Sequence, residues 1–168
     1  MKKVIIVYGS STDNTKSIAK NIANKLQEED VKLIDVIQLK EGDLDAYPNI
    51  ILGSSTWGVG DLQDDWEGKI SILSKANLNG KTVAFFGTGD SSSYSDSFAD
   101  AMGILYETVK DKGCRHIGAV STDGYNFDAS KAVVEDKFVG VAIDEDNESN
   151  MTESRIDAWI ADIRPQLL

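Results

Sequence analysis

The amino-acid sequence predicts an α/β fold, a three-layer doubly wound five-stranded parallel sheet with an insertion that splits the last strand. Short apolar runs rich in Val and Ile recur along the chain, as expected for strands that are buried on both faces. Segments with helical spacing of apolar residues lie between these runs, and such alternation is typical of a parallel sheet with helices on both faces. We expect residues 1–168 to form a single domain.

Each element follows from its own pattern. The predicted strands are 3–8, 31–36, 49–55, 82–89 and 116–120. Helical spacing predicts helices within 14–29, 95–112 and 151–163, the last with Thr152 and Glu153 as capping residues. Residues 121–138 do not fit the alternation and predict a hairpin-like excursion, after which "FVGVAI" (138–143) resumes the last strand.

Composition excludes several classes of protein. The net charge of −11 disfavours binding to nucleic acid or to an anionic lipid surface. No apolar run approaches the roughly 20 residues of a membrane span, and the first run is shorter than the roughly 7–15 apolar residues of a secretory signal. We therefore expect a cytoplasmic protein. Cys114 and His116 are each the single residue of their type, so we expect neither a disulfide nor a metal site.

Three predicted strands end in unusual loops, "GSSTDNT" (9–15), "GSSTWGVGD" (53–61) and "GTGDSSSYSD" (87–96). In a doubly wound sheet, ligands bind outside the carboxyl ends of the strands. The carboxyl ends of parallel strands share one edge of the sheet, so the three loops lie together. The sequence therefore predicts one ligand site built from all three.

The first loop predicts a phosphate site without basic clustering. A helix N-terminus offers unpaired backbone N–H groups and a positive dipole end, and neighbouring hydroxyls and an amide add neutral donors. Hydrogen bonds to a charged group contribute about 1.5–3 kcal/mol each, so several of them replace an arginine. The alternative is that this loop is only a capped turn. An ATP-type P-loop does not fit, because Asn14 and Thr15 occupy the positions of its Gly and Lys.

The other two loops predict a site for a flat conjugated ring. Trp57 and Tyr94 follow adjacent strands and can stack on the two faces of such a ring. Gly58 and Gly60 let the backbone approach it closely, and Asp90 can accept a hydrogen bond from a ring N–H. A dinucleotide motif at 87–92 is a poor match, because Ser92 replaces its third glycine.

These motifs, together with "STDGYNFDASKA" (121–132) and "VAIDEDN" (141–147), resemble the long-chain flavodoxins from end to end. The resemblance implies the flavodoxin-like fold and bound FMN. The implied ring lies between Trp57 and Tyr94, with its N5 edge facing residues 58–60 and its pyrimidine edge facing residues 88–90. The implied FMN-binding residues are Ser10, Ser11, Thr12, Asn14, Thr15, Ser55, Thr56, Trp57, Gly58, Val59, Gly60, Thr88, Gly89, Asp90, Tyr94 and Asp146.

The resemblance also implies a function, that of a low-potential one-electron carrier cycling between semiquinone and hydroquinone. Its partners would be a flavodoxin reductase-type donor and low-potential acceptor oxidoreductases, bound transiently by a monomer. Carboxylates near the ring would lower its second potential by on the order of 100–200 mV. No catalytic acid, base or nucleophile is evident, so we expect a carrier and not an enzyme. The alternatives are an FMN-dependent quinone reductase, a phosphoacceptor signalling module and a binding domain without flavin.

Two positions depart from the family pattern. Asp13 occupies a loop position where the family usually has Gly, and its carboxylate would repel a bound phosphate unless it points to solvent. Gly58 replaces a larger residue such as Asn. Because Gly turns at little steric cost, we expect a peptide that readily presents its carbonyl to protonated N5 and a well-stabilised neutral semiquinone.

Overall fold

Five parallel strand positions form the central sheet of the computed structural model, which describes residues 1–168. The strands are β1 (Lys3–Gly9), β2 (Asp30–Asp35), β3 (Asn49–Trp57), β4 (Asp61–Leu62), β5 (Thr82–Thr88), β6 (Arg115–His116), β7 (Val120–Ser121), β8 (Val133–Val134), β9 (Lys137–Phe138) and β10 (Val141–Ile143). The helices are α1 (Asp13–Lys25), α2 (Asp64–Lys75), α3 (Asp100–Val109), α4 (Glu145–Glu148) and α5 (Thr152–Ile163), with short 3-10 turns at Val36–Gln38, Ser149–Met151 and Arg164–Gln166.

The sheet order is β2-β1-β3-β5-β10, and all these neighbours are parallel. The fifth position is shared by two short strands. Strand β6 pairs with the start of β5 at Thr82 and Val83, whereas β10 pairs with its end from Phe86 to Thr88. The doubly wound order and the split last strand are therefore as the sequence predicts. The predicted strand 116–120 is not continuous, because only His116 of it lies in the central sheet and Val120 belongs to β7.

Alternate residues of each strand face opposite sides of the sheet and build two cores. Ile5, Val7 and Phe85 belong to one core, into which α2 and α3 pack. Val4 and Ile6 belong to the other core, into which α1 and α5 pack. The central strands β1 and β5 are buried along almost their whole length. This two-sided burial explains why they appear in the sequence as continuous apolar runs.

The helices differ from the prediction at several points. Helix α3 begins only at Asp100, because Ala99 before it adopts a left-handed backbone (φ 56°) that no α-helix continues. Thr152 lies inside α5 and caps nothing; its hydroxyl lies 2.7 Å from Glu145 Oε1. Helix α2 and the short strand β4, which pairs antiparallel with the end of β3, are not predicted from the sequence.

The excursion is a separate antiparallel sheet in the order β7-β9-β8. It is hairpin-like, as predicted, with one additional strand. Phe98 and Phe138 pack there at 6.0 Å between ring centroids. The excursion also lies directly on α3 at Gly103, where a Cβ atom would be 2.4 Å from the carbonyl oxygen of Lys131. None of the helices combines the length and the apolar character that crossing a membrane requires.

Candidate functional site

A cavity of about 260 Å³ opens at the carboxyl edge of the sheet, where β1, β3 and β5 end. All three predicted loops contribute to its wall. The predicted site residues that line it are Thr12, Asn14, Ser55, Thr56, Trp57, Gly58, Thr88, Gly89, Asp90, Tyr94 and Asp146. Glu145 also lines the cavity and was not predicted, although its position beside Asp146 in "DEDN" was a usable signal.

The first loop leads into α1, whose N-terminus is uncapped. Thr12 occupies the N-cap position with extended backbone (φ −112°, ψ 167°), but its side chain makes no capping hydrogen bond. Ser10 Oγ accepts only the N–H of Lys16, at 3.4 Å, and no side chain accepts from Asp13, Asn14 or Thr15. The first N–H groups of a helix have no partner within the helix. These donors therefore lie beside Thr12 and Asn14 at the cavity wall. This geometry disfavours the capped-turn alternative and suits an anion that brings its own acceptor oxygens.

The other hydroxyl groups of the first loop form hydrogen bonds within the protein. Ser10 Oγ donates to the carbonyl of Thr12, and Ser11 Oγ accepts a hydrogen bond from Gln63 Nε2 at 3.0 Å. Thr15 is fully buried, with its Oγ1 3.0 Å from Thr88 Oγ1. Ser10, Ser11 and Thr15 therefore do not line the cavity in this structure, and their contact with a phosphate stays a prediction.

The two predicted aromatic residues line the same cavity and remain partly accessible. Trp57 is 39% exposed and Tyr94 is 47% exposed. The indole Nε1–H of Trp57 donates to Ser55 Oγ at 3.0 Å, which fixes the plane of the ring. Aromatic side chains that line a cavity and remain accessible suit stacking on a planar ligand.

The turn after Trp57 depends on two glycines. Gly58 and Gly60 both have positive φ values, 52° and 92°, a region that residues with a Cβ atom rarely adopt. A Cβ atom at Gly60 would also lie 2.4 Å from Asp100 Oδ2. Neither Gly60 nor the 81% exposed Val59 lines the cavity. The part of the turn at the cavity wall is Gly58.

The electrostatic character of the site is acidic. Asp90, Glu145 and Asp146 line the cavity, and its wall contains no Lys or Arg. Hydrogen bonds to its carboxylate lower the pKa of Asp90, the larger contribution coming from the backbone N–H of Ser93 and the next from the side-chain amide of Asn147. Burial, followed by the charges of Asp90, Asp144 and Glu145, raises the pKa of Asp146. The site therefore combines neutral donors at the start of α1 with three carboxylates elsewhere on its wall.

Comparisons with known proteins agree with this geometry. The family model described as flavodoxin matches residues 6–159. A flavodoxin of Nostoc sp. is 46% identical over 165 residues, which cover 98% of this chain and 97% of the relative. Flavodoxin 1 of Escherichia coli strain K12 is 38% identical over 163 residues, which cover 96% of this chain and 93% of that protein.

Solved structures give the same result. The crystal structure of Fusobacterium nucleatum flavodoxin bound to flavin mononucleotide superposes with a TM-score of 0.95 at 31% identity and covers 100% of both chains. Flavodoxin 1 from Bacillus cereus superposes with a TM-score of 0.72 at 26% identity, over 99% of this chain and 100% of that chain. The fold, the layout of the three loops and these matches together show that the chain belongs to the flavodoxin family.

Proposed function

We propose that this flavodoxin binds FMN tightly but non-covalently and carries single electrons at low potential. One observation carries the proposal. An uncapped helix N-terminus and two accessible aromatic side chains line the same cavity. The first feature suits the phosphate of FMN and the second suits its ring, and flavin mononucleotide is the ligand bound in the Fusobacterium nucleatum flavodoxin structure.

The phosphate is assigned to the first turn of α1. Thr12 and Asn14 lie at the cavity wall and supply neutral donors in addition to the backbone N–H groups. Ser10, Ser11 and Thr15 complete the predicted phosphate loop. Charge-assisted hydrogen bonds from neutral donors hold a phosphate without the desolvation cost of burying a cation.

The ring is assigned to the space beside Trp57 and Tyr94. Ser55 holds the Trp57 indole, and Thr56 accepts a hydrogen bond from the N–H of Ala101 at 3.1 Å, which ties the second loop to α3. The turn of Gly58, Val59 and Gly60 is assigned to the N5 edge, with the Gly58 carbonyl as the acceptor for a proton at N5. Residues 88–90 are assigned to the pyrimidine edge and Asp146 to the region of the ribityl chain.

The chain's charges favour a low potential. FMN supplies one-electron chemistry, and every negative charge near it opposes the arrival of an electron. Asp90, Glu145 and Asp146 line the cavity with no basic residue to offset them. Asp61 lies close to the turn, because a Cβ atom at Gly58 would be 2.9 Å from Asp61 Oδ2. These carboxylates would oppose the addition of negative charge to bound FMN, which favours a low-potential donor.

The proposed role is that of a carrier between proteins. Trp57 and Tyr94 are accessible at the cavity, and Val59, two residues after Trp57, is exposed, so these side chains offer apolar contact area to a partner. The acidic surroundings favour a basic docking face on a reductase and on an acceptor oxidoreductase. The proposal also includes three predictions from the sequence. The protein is a monomer, it has no enzymatic activity of its own, and it is located in the cytoplasm. The relatives and solved structures named above are flavodoxins, which favours this role over that of a quinone reductase.

Stepwise reduction of the FMN-loaded protein tests the proposal. We expect a yellow protein that develops long-wavelength absorbance after about one electron and loses all colour after the second, because the Gly58 carbonyl would accept a hydrogen bond at N5 of the bound flavin. A direct change from yellow to colourless would contradict the one-electron assignment. Sustained NADPH oxidation in the presence of a quinone, with no reductase added, would favour the quinone reductase alternative.

A further inference from the structure

The turn that carries Tyr94 is built on the carboxylate of Asp90. Asp90 Oδ1 accepts hydrogen bonds from the backbone N–H of Ser92 at 3.1 Å and of Ser93 at 3.0 Å. The N–H of Tyr94 donates to the carbonyl of Asp90 at 2.9 Å. An aspartate side chain that accepts from the following N–H groups fixes a turn. The carboxylate of Asp90 therefore braces the turn that places Tyr94 at the cavity.

Asp90 lies among other acidic side chains that oppose this orientation. Carboxylate oxygens of Asp90, Asp144 and Asp146 lie within 4.8 Å of one another, and Glu145 lines the same cavity. Like charges at such spacing repel one another, and no Lys or Arg lines the cavity to offset them. A turn that depends on Asp90 therefore needs a donor that draws the carboxylates together.

The side-chain amide of Asn147 is placed to do this. Its Nδ2 donates to Asp90 Oδ1 at 2.9 Å and contacts both carboxylate oxygens of Asp144, at 3.0 and 3.1 Å. Asp144 is fully buried and also accepts the backbone N–H of Ser91 at 3.2 Å and that of Asn147 at 3.1 Å. Asn147 thus joins the 90–94 turn to the segment that follows β10 through two carboxylates at once.

We propose that Asn147 is a positioning residue of the flavin site, whose amide holds Asp90 beside Asp144 and thereby fixes the turn that carries Tyr94. The proposal rests on the proposed FMN function. It predicts that Asn147 acts on the ring side of the cavity and not on the phosphate side. Its loss therefore weakens FMN and riboflavin alike, since both contain the ring and riboflavin lacks only the phosphate.

The test compares Asn147→Asp with Asn147→Ala and with Asn150→Asp. Asn147→Asp replaces the donor with a further acceptor, whereas Asn150→Asp adds the same charge at an exposed position three residues away. The measurement is the dissociation constant of each apoprotein for FMN and for riboflavin, followed by flavin fluorescence. We expect about tenfold weaker binding of both ligands for Asn147→Asp, about threefold for Asn147→Ala and less than about twofold for Asn150→Asp.

A pH series separates positioning from a general structural defect. The carboxylate introduced at position 147 faces Asp90, Asp144, Glu145 and Asp146, which favour its protonated form. The affinity of Asn147→Asp should therefore approach that of the wild type as the pH falls from 8 to 5, because a protonated carboxyl donates again. The deficit of Asn147→Ala should not change in this way.

Two results overturn the proposal while the FMN function holds. The first is that the wild type binds both flavins while Asn147→Asp and Asn150→Asp have equal dissociation constants for them. The other is a loss of FMN binding without a loss of riboflavin binding. A wild-type protein that binds neither flavin overturns the proposed function and this inference with it. Far-UV circular dichroism of each apoprotein identifies a variant that fails to fold, and Asn147→Ala then carries the comparison alone.

Discussion

Helices α1 and α2 both begin at the carboxyl edge of the sheet, yet their first turns are completed in different ways. At α2, Gln63 Oε1 accepts the backbone N–H of Asp65 at 3.0 Å and of Trp66 at 3.2 Å, and the Gln63 side chain is buried. At α1, no side chain accepts from the N–H groups of Asp13, Asn14 or Thr15, and only the following N–H, that of Lys16, donates to Ser10 Oγ, at 3.4 Å. One terminus is satisfied within the chain, and the other presents its donors to the cavity.

This difference shows that, at one edge of the sheet, the first turn of α2 is built for stability and that of α1 for ligand binding. A capping side chain contributes about 0.5–2 kcal/mol to helix stability, and α1 forgoes it although hydroxyl residues surround its start. A phosphate that accepts from the same N–H groups restores the lost hydrogen bonds only when it is bound. The uncapped helix therefore marks the ligand site, and the capped helix marks the scaffold beside it.

The largest expected effect comes from capping α1 with a negative charge. Thr12→Asp places a carboxylate where the phosphate is assigned, and two unit charges about 4 Å apart repel by about 4 kcal/mol at an effective dielectric constant of 20. We expect FMN to bind at least about 100-fold more weakly, a change of about 2.7 kcal/mol. The apoprotein should become more stable by up to about 1 kcal/mol, because aspartate is a strong N-cap.

Titration of the apoprotein with FMN and with riboflavin measures the first effect, and urea unfolding measures the second. Riboflavin has no phosphate, so its affinity should change far less than that of FMN. Thr12→Asn is the matched control, since it can cap the helix without adding charge. Equal losses for both flavins would contradict the placement of the phosphate at α1.

The sequence predicts the polar loops of this edge but not which of their groups remain free. Ser11 and Thr15 resemble Thr12 as hydroxyl donors in the same loop, yet they are bonded to Gln63 and Thr88, partners 52 and 73 residues away. Only the folded chain brings those partners together. The parallel strands are predictable because two-sided burial leaves continuous apolar runs.

Other features depend on contacts that no local pattern records. Helix α2 is hard to predict because it follows strand β3 within a few residues, and only Trp66 and Leu73 of its apolar residues are fully buried. Helix α3 begins late because Ala99 is held in a left-handed conformation next to the excursion, where the N–H of Phe98 donates to the carbonyl of Ala129. Local periodicity extends a helix through both residues, and tertiary contacts end it.

A smaller effect is expected when the cap of α2 is removed. Gln63→Ala leaves the N–H groups of Asp65 and Trp66 without their acceptor, so the free energy of unfolding should fall by about 1–2 kcal/mol. FMN affinity should change by less than about threefold, because Gln63 does not line the cavity. Urea unfolding of the apoprotein, with the exposed Gln27→Ala as control, measures the first quantity. A loss of FMN binding as large as that of Thr12→Asp would show that the contact between Gln63 and Ser11 belongs to the phosphate site.

The smallest effect is expected from the first residue of each helix, Asp13 in α1 and Asp64 in α2, which are both exposed. Asp13→Gly removes a charge that repels the assigned phosphate, so FMN should bind about threefold more tightly at low ionic strength, and the gain should shrink as salt screens it. The same variant should slightly lower the free energy of unfolding of the apoprotein, because an acidic residue in the first turn interacts favourably with the helix dipole and Gly has low helix propensity.

Asp64→Gly makes the identical change at the capped terminus and should leave FMN affinity unaltered. Titrations of both variants at two salt concentrations give the comparison, and weaker binding by Asp13→Gly would mean that the Asp13 side chain supports the loop instead of opposing the ligand.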